Sequence, residues 1–169
     1  MFMPDQFVWE VMSERVIGID ISRSVIDTLR LSSAEQVHHF PVFDQHRLVG
    51  MVCTCDLARA PLESPVGNWM HTDVERIGPQ ETTREAARLM EARAVGSLLV
   101  EDVRGIRGIV TRDDLAERGD DPDIAASIGQ CACCGSRQHL CAGPDGLHLC
   151  QDCQERAREK DWFEIGTAD

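Results

Sequence analysis

The chain has 169 residues, with 17 Lys or Arg against 29 Asp or Glu and a formal charge of −12 at pH 7. That field repels phosphate backbones and anionic lipid headgroups, so neither DNA nor a membrane is an expected partner. Hydrophobic residues at 43% fit a soluble globular protein, no apolar run nears the roughly 20 residues of a bilayer span, and the first ten residues lack a basic-then-apolar leader.

A cytoplasmic location follows as the expectation, with the eight cysteines reduced and their clusters pointing to metal before disulfides. In chain order, the pattern predicts a strand over 16–21, a helix over 24–35, strands over 40–43 and 48–52, and a helix from Thr54. The same order then returns. A strand over 74–77 stops at Gly78-Pro79, and a helix opens with Thr82 and Glu85 at capping-box spacing. A buried strand over 97–101, a turn at Arg104-Gly105, a strand over 106–110 and a helix from Thr111 complete it.

Residues 8–57 align without a gap on 66–115, an offset of 58. The matches are mostly apolar: Val8/Val66, Ile19/Ile77, Val42/Val100, Val52/Val110 and Leu57/Leu115, with Gly50/Gly108 and Asp56/Asp114 among the others. One unit of about 50 residues buries too little surface to stand alone. Two β-α-β-β-α units packed about a pseudo-twofold axis make one α/β (α+β) domain of about 115 residues. The expected divisions are 1–60, 61–118, a polar linker over 119–130, and a cysteine-rich unit over 131–169.

The second unit closes on Gly108-Ile109-Val110-Thr111-Arg112-Asp113-Asp114-Leu115. On spacing alone, Thr111 and Asp114 read first as a helix-capping pair. With this motif, the tandem repeat resembles the paired CBS domain (the Bateman module) over roughly residues 8–118. The resemblance implies that Thr111 and Asp114 hold the ribose of an adenine nucleotide, AMP, ADP, ATP or S-adenosylmethionine, while apolar strand residues such as Ile109 flank the base. In that setting Gly108 lets backbone approach the ligand, and Arg112 at a helix start favours phosphate. In the first unit, Gly50 and Asp56 keep the pattern, but Cys53 stands where a hydroxyl is expected and Thr54 is an imperfect substitute. The second-unit site is therefore the preferred one. Pro41-Val42 matches the family's adenine-lining strand, with a plain core strand as the competing reading. Cys53 and Cys55 read as small buried thiols, His38-His39 as a solvated strand edge, and Trp9 and Trp69 as packing residues.

Cys131-x-x-Cys134-Gly135 and Cys150-x-x-Cys153 form two knuckles fifteen residues apart. Four thiolates at that spacing make a closed, structural zinc site. Cys133 and Cys141 are left over, with His139 and His148 as reserve ligands. The segment is similar to the zinc-binding domain of the ClpX unfoldase over about 25 residues, sharing the knuckles, Gln138 and Ala142-Gly143-Pro144. That likeness implies a treble-clef-like unit that dimerises or docks a protein, without ATPase activity, since no phosphate-binding loop is present.

No catalytic constellation stands out. The expected protein is a non-enzymatic regulator that senses an adenine nucleotide, forms a homodimer, and meets a protein partner through its zinc unit. The competing expectations are a ligand-free dimeric scaffold or adaptor and, more remotely, a redox sensor on Cys133 and Cys141.

Overall fold

The computed structural model describes residues 5–119, 140–142 and 148–150. The first unit holds β1 (Ile19–Asp20), α2 (Val25–Glu35), β2 (His39–Asp44), β3 (Arg47–Cys53) and α3 (Thr54–Leu57), preceded by a short helix α1 (Val8–Val11). The second holds β4 (Arg76–Ile77), α4 (Thr83–Arg93), β5 (Ser97–Asp102), β6 (Gly105–Thr111) and α5 (Arg112–Arg118), preceded by a 3-10 turn at Val66–Asn68. Each unit forms one three-stranded sheet, ordered β1-β2-β3 or β4-β5-β6, with a parallel first pair and an antiparallel second pair. The expected β-α-β-β-α order is present twice.

Local chemistry explains the boundaries. Ser24 and Thr82 sit in extended conformation and accept the Asp27 and Glu85 amides, starting α2 and α4. Both helices end on a residue in the left-handed region, Gln36 at φ 54° and Ala94 at φ 53°. β1 and β4 are shorter than the sequence pattern suggests, because only two residues of each pair with the neighbouring strand. The helix α1 was not legible as periodicity, since four residues span barely one turn.

The 58-residue offset is a spatial symmetry. Val8 N–H donates to Glu81 O at 2.9 Å, and the equivalent Val66 N–H donates to Arg23 O at 2.9 Å. Ser13 exchanges two backbone bonds with Ile109, and His71 exchanges two with Met51, again 58 residues apart. Both long hairpins carry a register shift at equivalent places, Val42/Phe43 and Val100/Glu101.

The leading segments cross between units. Val8 and Val11 are fully buried with Ile77, Met90, Leu98, Val110 and Leu115 in the second core. Val66 is fully buried with Val25, Phe40, Val52 and Leu57 in the first. Each unit therefore closes its core with a piece of the chain that leads into the other, which ties the two folds together. Trp69 packs against the first core and donates Nε1–H to Ser64 Oγ at 2.9 Å. Trp9, expected to pack, is instead 50% exposed.

Beyond the repeat, β7 (Leu140–Ala142) and β8 (His148–Cys150) form an antiparallel hairpin that sets Cys150 opposite Leu140. No helix among the described residues is long and apolar enough to cross a membrane.

Candidate functional site

The crossing segments leave two clefts at the junction of the units. One, of about 750 Å³, is lined by Asp56 and Cys53 of the first unit, by the crossing segment His71 to Glu75, and by Arg93 to Ser97 and Arg112 of the second. The other, of about 360 Å³, is its symmetry counterpart and is lined by Ser13, Arg15, His38, Ile109, Thr111, Asp114 and Arg118 among others. His39 borders both.

Asp56 and Asp114 both sit in the first turn of a helix and bond back to its N-cap residue. Asp114 Oδ2 accepts the Thr111 amide at 2.8 Å and the Thr111 hydroxyl at 2.8 Å, while the Asp114 amide donates to that hydroxyl at 3.2 Å. The capping reading of Thr111 and Asp114 thus describes bonds that are formed. Burial pushes the Asp114 carboxyl above its ordinary value, against those hydrogen bonds. Among the described residues Asp56 Oδ2 accepts the Cys53 amide alone, at 2.9 Å, and Oδ1 lies 3.2 Å from Nε2 of His71. A thiol at position 53 leaves that carboxylate less occupied than a hydroxyl does.

Cys53 is a free thiol whose sulfur accepts the Cys55 amide at 3.4 Å. Burial pushes it up to about 12, so it stays protonated at neutral pH. Cys55, expected as a second buried thiol, is disulfide-bonded. Burial also lowers His39, against the pull of Asp113, Asp56 and Asp114, with Arg112 adding to the lowering.

The two glycines stand where the crossing segments come closest. A Cβ at Gly108 would stand 2.6 Å from the Ser13 carbonyl oxygen, and one at Gly50 would stand 2.6 Å from Met70 Sδ and 2.8 Å from the His71 carbonyl. Both glycines admit the close approach of the crossing segments. Pro41 and Val42 are buried in β2 opposite Met51 and Gly50 and border neither cleft, which is the core-strand reading. Thr54 is 5% exposed and faces His38 Nδ1 at 3.4 Å, away from Asp56's cleft.

Arg112 is the displaced member of the motif. It follows Thr111 in sequence, yet it lines the Asp56 cleft. Its Nε and Nη2 donate to Val95 O at 3.2 and 3.0 Å. His71, Arg93 and His39 are site residues that the motif did not indicate. The repeat offset makes His71 the counterpart of Ser13, but only the crossing brings it beside Asp56.

Of the four proposed zinc ligands, Cys150 is buried at the end of β8, whereas Cys131, Cys134 and Cys153 lie outside the described residues, as do Cys133 and His139. Among the described residues no group of three or more metal-capable side chains converges.

A family model for the CBS domain matches residues 8–63 and 66–121. An uncharacterized protein of Methanocaldococcus jannaschii is 29% identical over 116 residues, covering 67% of this chain and 39% of that protein. The chain thus spans well under half of that relative's length. Among solved structures, an uncharacterized conserved protein from Pyrococcus horikoshii matches with a TM-score of 0.64 at 23% identity, over 71% of this chain and 96% of that one. The CBS domain pair of protein MJ0100, in complex with 5′-methylthioadenosine and S-adenosylmethionine, matches with a TM-score of 0.62 at 24% identity, over 68% of this chain and 96% of that one.

Proposed function

Because this chain belongs to the CBS-domain family, carrying the domain in tandem, we propose that it is a non-enzymatic regulatory protein that senses an adenine-containing ligand at the junction of its two units. The observation that carries this reading is the cleft of about 750 Å³ in which the Asp56 carboxylate of one unit and the Arg112 guanidinium of the other border one space. A carboxylate accepts from the vicinal hydroxyls of a ribose, and the cleft is large enough for a nucleotide. The adenosyl ligands of the MJ0100 domain pair, a similar fold, support the same ligand class here: AMP, ADP, ATP or S-adenosylmethionine. In this reading Thr111, Ile109 and Asp114 form the smaller, second site.

The C-terminal segment supplies the output. Cys131, Cys134, Cys150 and Cys153 hold one structural zinc, and the unit they close dimerises or docks a protein partner. Four thiolates leave no open coordination position, so the metal organises the fold and does no chemistry. The protein acts in the cytoplasm as a homodimer.

The test is thermal unfolding with AMP, ADP, ATP and S-adenosylmethionine. A ligand at 100-fold excess over its Kd adds about 2.7 kcal/mol. Asp56→Ala removes that gain. No shift with any of the four overturns the sensing role and leaves the scaffold reading.

A further inference from the structure

We propose that Cys55 is a redox modification site, joined by a reversible disulfide to the C-terminal cysteine segment at the wall of the Asp56 cleft. Cys55 lies in the first turn of α3, one residue before Asp56, and both line that cleft. Its sulfur is held in a disulfide. The chain has eight cysteines, and Cys53 and Cys150 are not in disulfides. The partner of Cys55 is therefore Cys131, Cys133, Cys134, Cys141 or Cys153, all of them beyond the repeat. A zinc bound by Cys131, Cys134, Cys150 and Cys153 needs those four as thiolates, which leaves Cys133 and Cys141. That Cys150 is not in a disulfide agrees with this division.

In the cytoplasm, where the protein is proposed to act, thiols are kept reduced, and a disulfide that does form is as a rule transient and redox-sensing. Cys55 is half-buried and borders a cleft of about 750 Å³, room enough for a small thiol to reach its sulfur. Its neighbour Cys53 does not compete. Burial pushes that thiol up to about 12, and only a thiolate attacks a disulfide. Only the first unit carries the device, because the counterpart of Cys55 in the repeat is Asp113. The oxidation balances with a low-molecular-weight disulfide as oxidant. The Cys55 thiolate attacks one of its sulfurs, breaking that S–S bond and releasing one thiol. The partner thiolate then attacks Cys55 Sγ in the mixed disulfide and releases the second. The two cysteines lose two electrons, the small disulfide gains them, and the cysteine protons pass to the two thiols released. A small dithiol reverses both steps. An adenine ligand in the cleft, a point that rests on the sensing role above, shields the bond from that dithiol.

Peptide mapping of the full chain without reductant is expected to recover Cys55 joined to Cys133 or Cys141, and Cys55→Ser to yield no such pair. Across dithiothreitol buffers of varied oxidised-to-reduced ratio the bond should form and break reversibly without denaturant, with zinc retained. The tightest binder among AMP, ADP, ATP and S-adenosylmethionine, at 100-fold excess over its Kd, leaves about one molecule in a hundred open and is expected to slow reduction at least about tenfold. Cys55 recovered as an unlinked thiol after oxidation, joined to Cys53, or joined to one of the four zinc ligands overturns the proposal. So does a bond that is reduced only in urea, which is a structural disulfide. A ligand that binds without slowing reduction overturns the cleft as the route to Cys55 while leaving adenine sensing intact. If none of the four binds, the sensing role falls, and the peptide map with the dithiothreitol titration alone upholds or overturns the redox site.

Discussion

His71 and Asp56 meet across the junction of the two units, Nε2 to Oδ1 at 3.2 Å, although fifteen residues and a 3-10 turn separate them in the chain. The contact exists because the segment leading into the second unit crosses back over β3, where His71 exchanges two backbone hydrogen bonds with Met51. At the symmetry-related place Ser13 crosses β6 beside Asp114, so a serine stands where His71 stands beside Asp56. The two equivalent carboxylates therefore face different company.

The crossings depend on the glycines that admit them. Gly108→Ala sets a Cβ against the Ser13 carbonyl, a backbone atom that yields little. A loss of about 1–3 kcal/mol is expected from urea unfolding. Gly50→Ala meets its carbonyl, of His71, at 2.8 Å instead of 2.6 Å, and the Met70 side chain it also meets is flexible, so it is expected to cost less than Gly108→Ala. Equal costs would show that the wider gap to the carbonyl at Gly50, 2.8 Å against 2.6 Å at Gly108, gives no relief.

Ala94 ends α4 in the left-handed region at φ 53° and is exposed. Glycine adopts that conformation without a Cβ penalty, so Ala94→Gly is expected to stabilise the chain by about 0.5–1 kcal/mol. The midpoint of urea unfolding should rise with its slope unchanged. A lower midpoint would contradict the strain argument.

Cys53, pushed up from 9.0 to about 12 by burial, has a thiolate population about a thousandfold below that of an ordinary cysteine at the same pH. Its alkylation by iodoacetamide in the folded protein at pH 8 should be correspondingly slow and should recover in urea. Peptide mass spectrometry reads this residue directly. Rapid labelling of Cys53 in the folded chain would show that burial does not hold its thiol protonated.

His39 lies between the clefts with its protonated form disfavoured by burial, below the ordinary value of 6.5. In the window between 6.5 and the lower folded value, the unfolded chain binds more protons than the folded one, so stability falls as pH drops through it. His39→Gln removes this contribution. Urea unfolding at pH 7.5 and 5.5 should show a smaller loss for the variant than for the unaltered chain, and an equal loss would assign the pH effect to other groups.

The zinc proposal has its own readout. Elemental analysis of the purified chain is expected to give one zinc per chain, lost in Cys150→Ser and kept in Cys141→Ser. Loss in the latter would mean that the ligand set is different.

The repeat itself was legible because it is written in apolar periodicity. Val42 and Val100, or Val52 and Val110, mark buried strand positions wherever the units sit, and Ser24 and Thr82 mark helix starts by bonds that span only three residues. The sequence by itself thus determined two β-α-β-β-α units and their equivalence, and it placed Asp56 and Asp114 at matching helix starts. Only the tertiary structure decided that Val8 and Val66 each close the other unit's core, that crossing chain packs against Gly50 and Gly108, and that Arg112 borders the cleft of Asp56. Side-chain spacing reports which face of its own element a residue occupies. Which cleft that face then borders depends on where a distant segment crosses, and that is set by hydrogen bonds and burial between parts of the chain 58 residues and more apart.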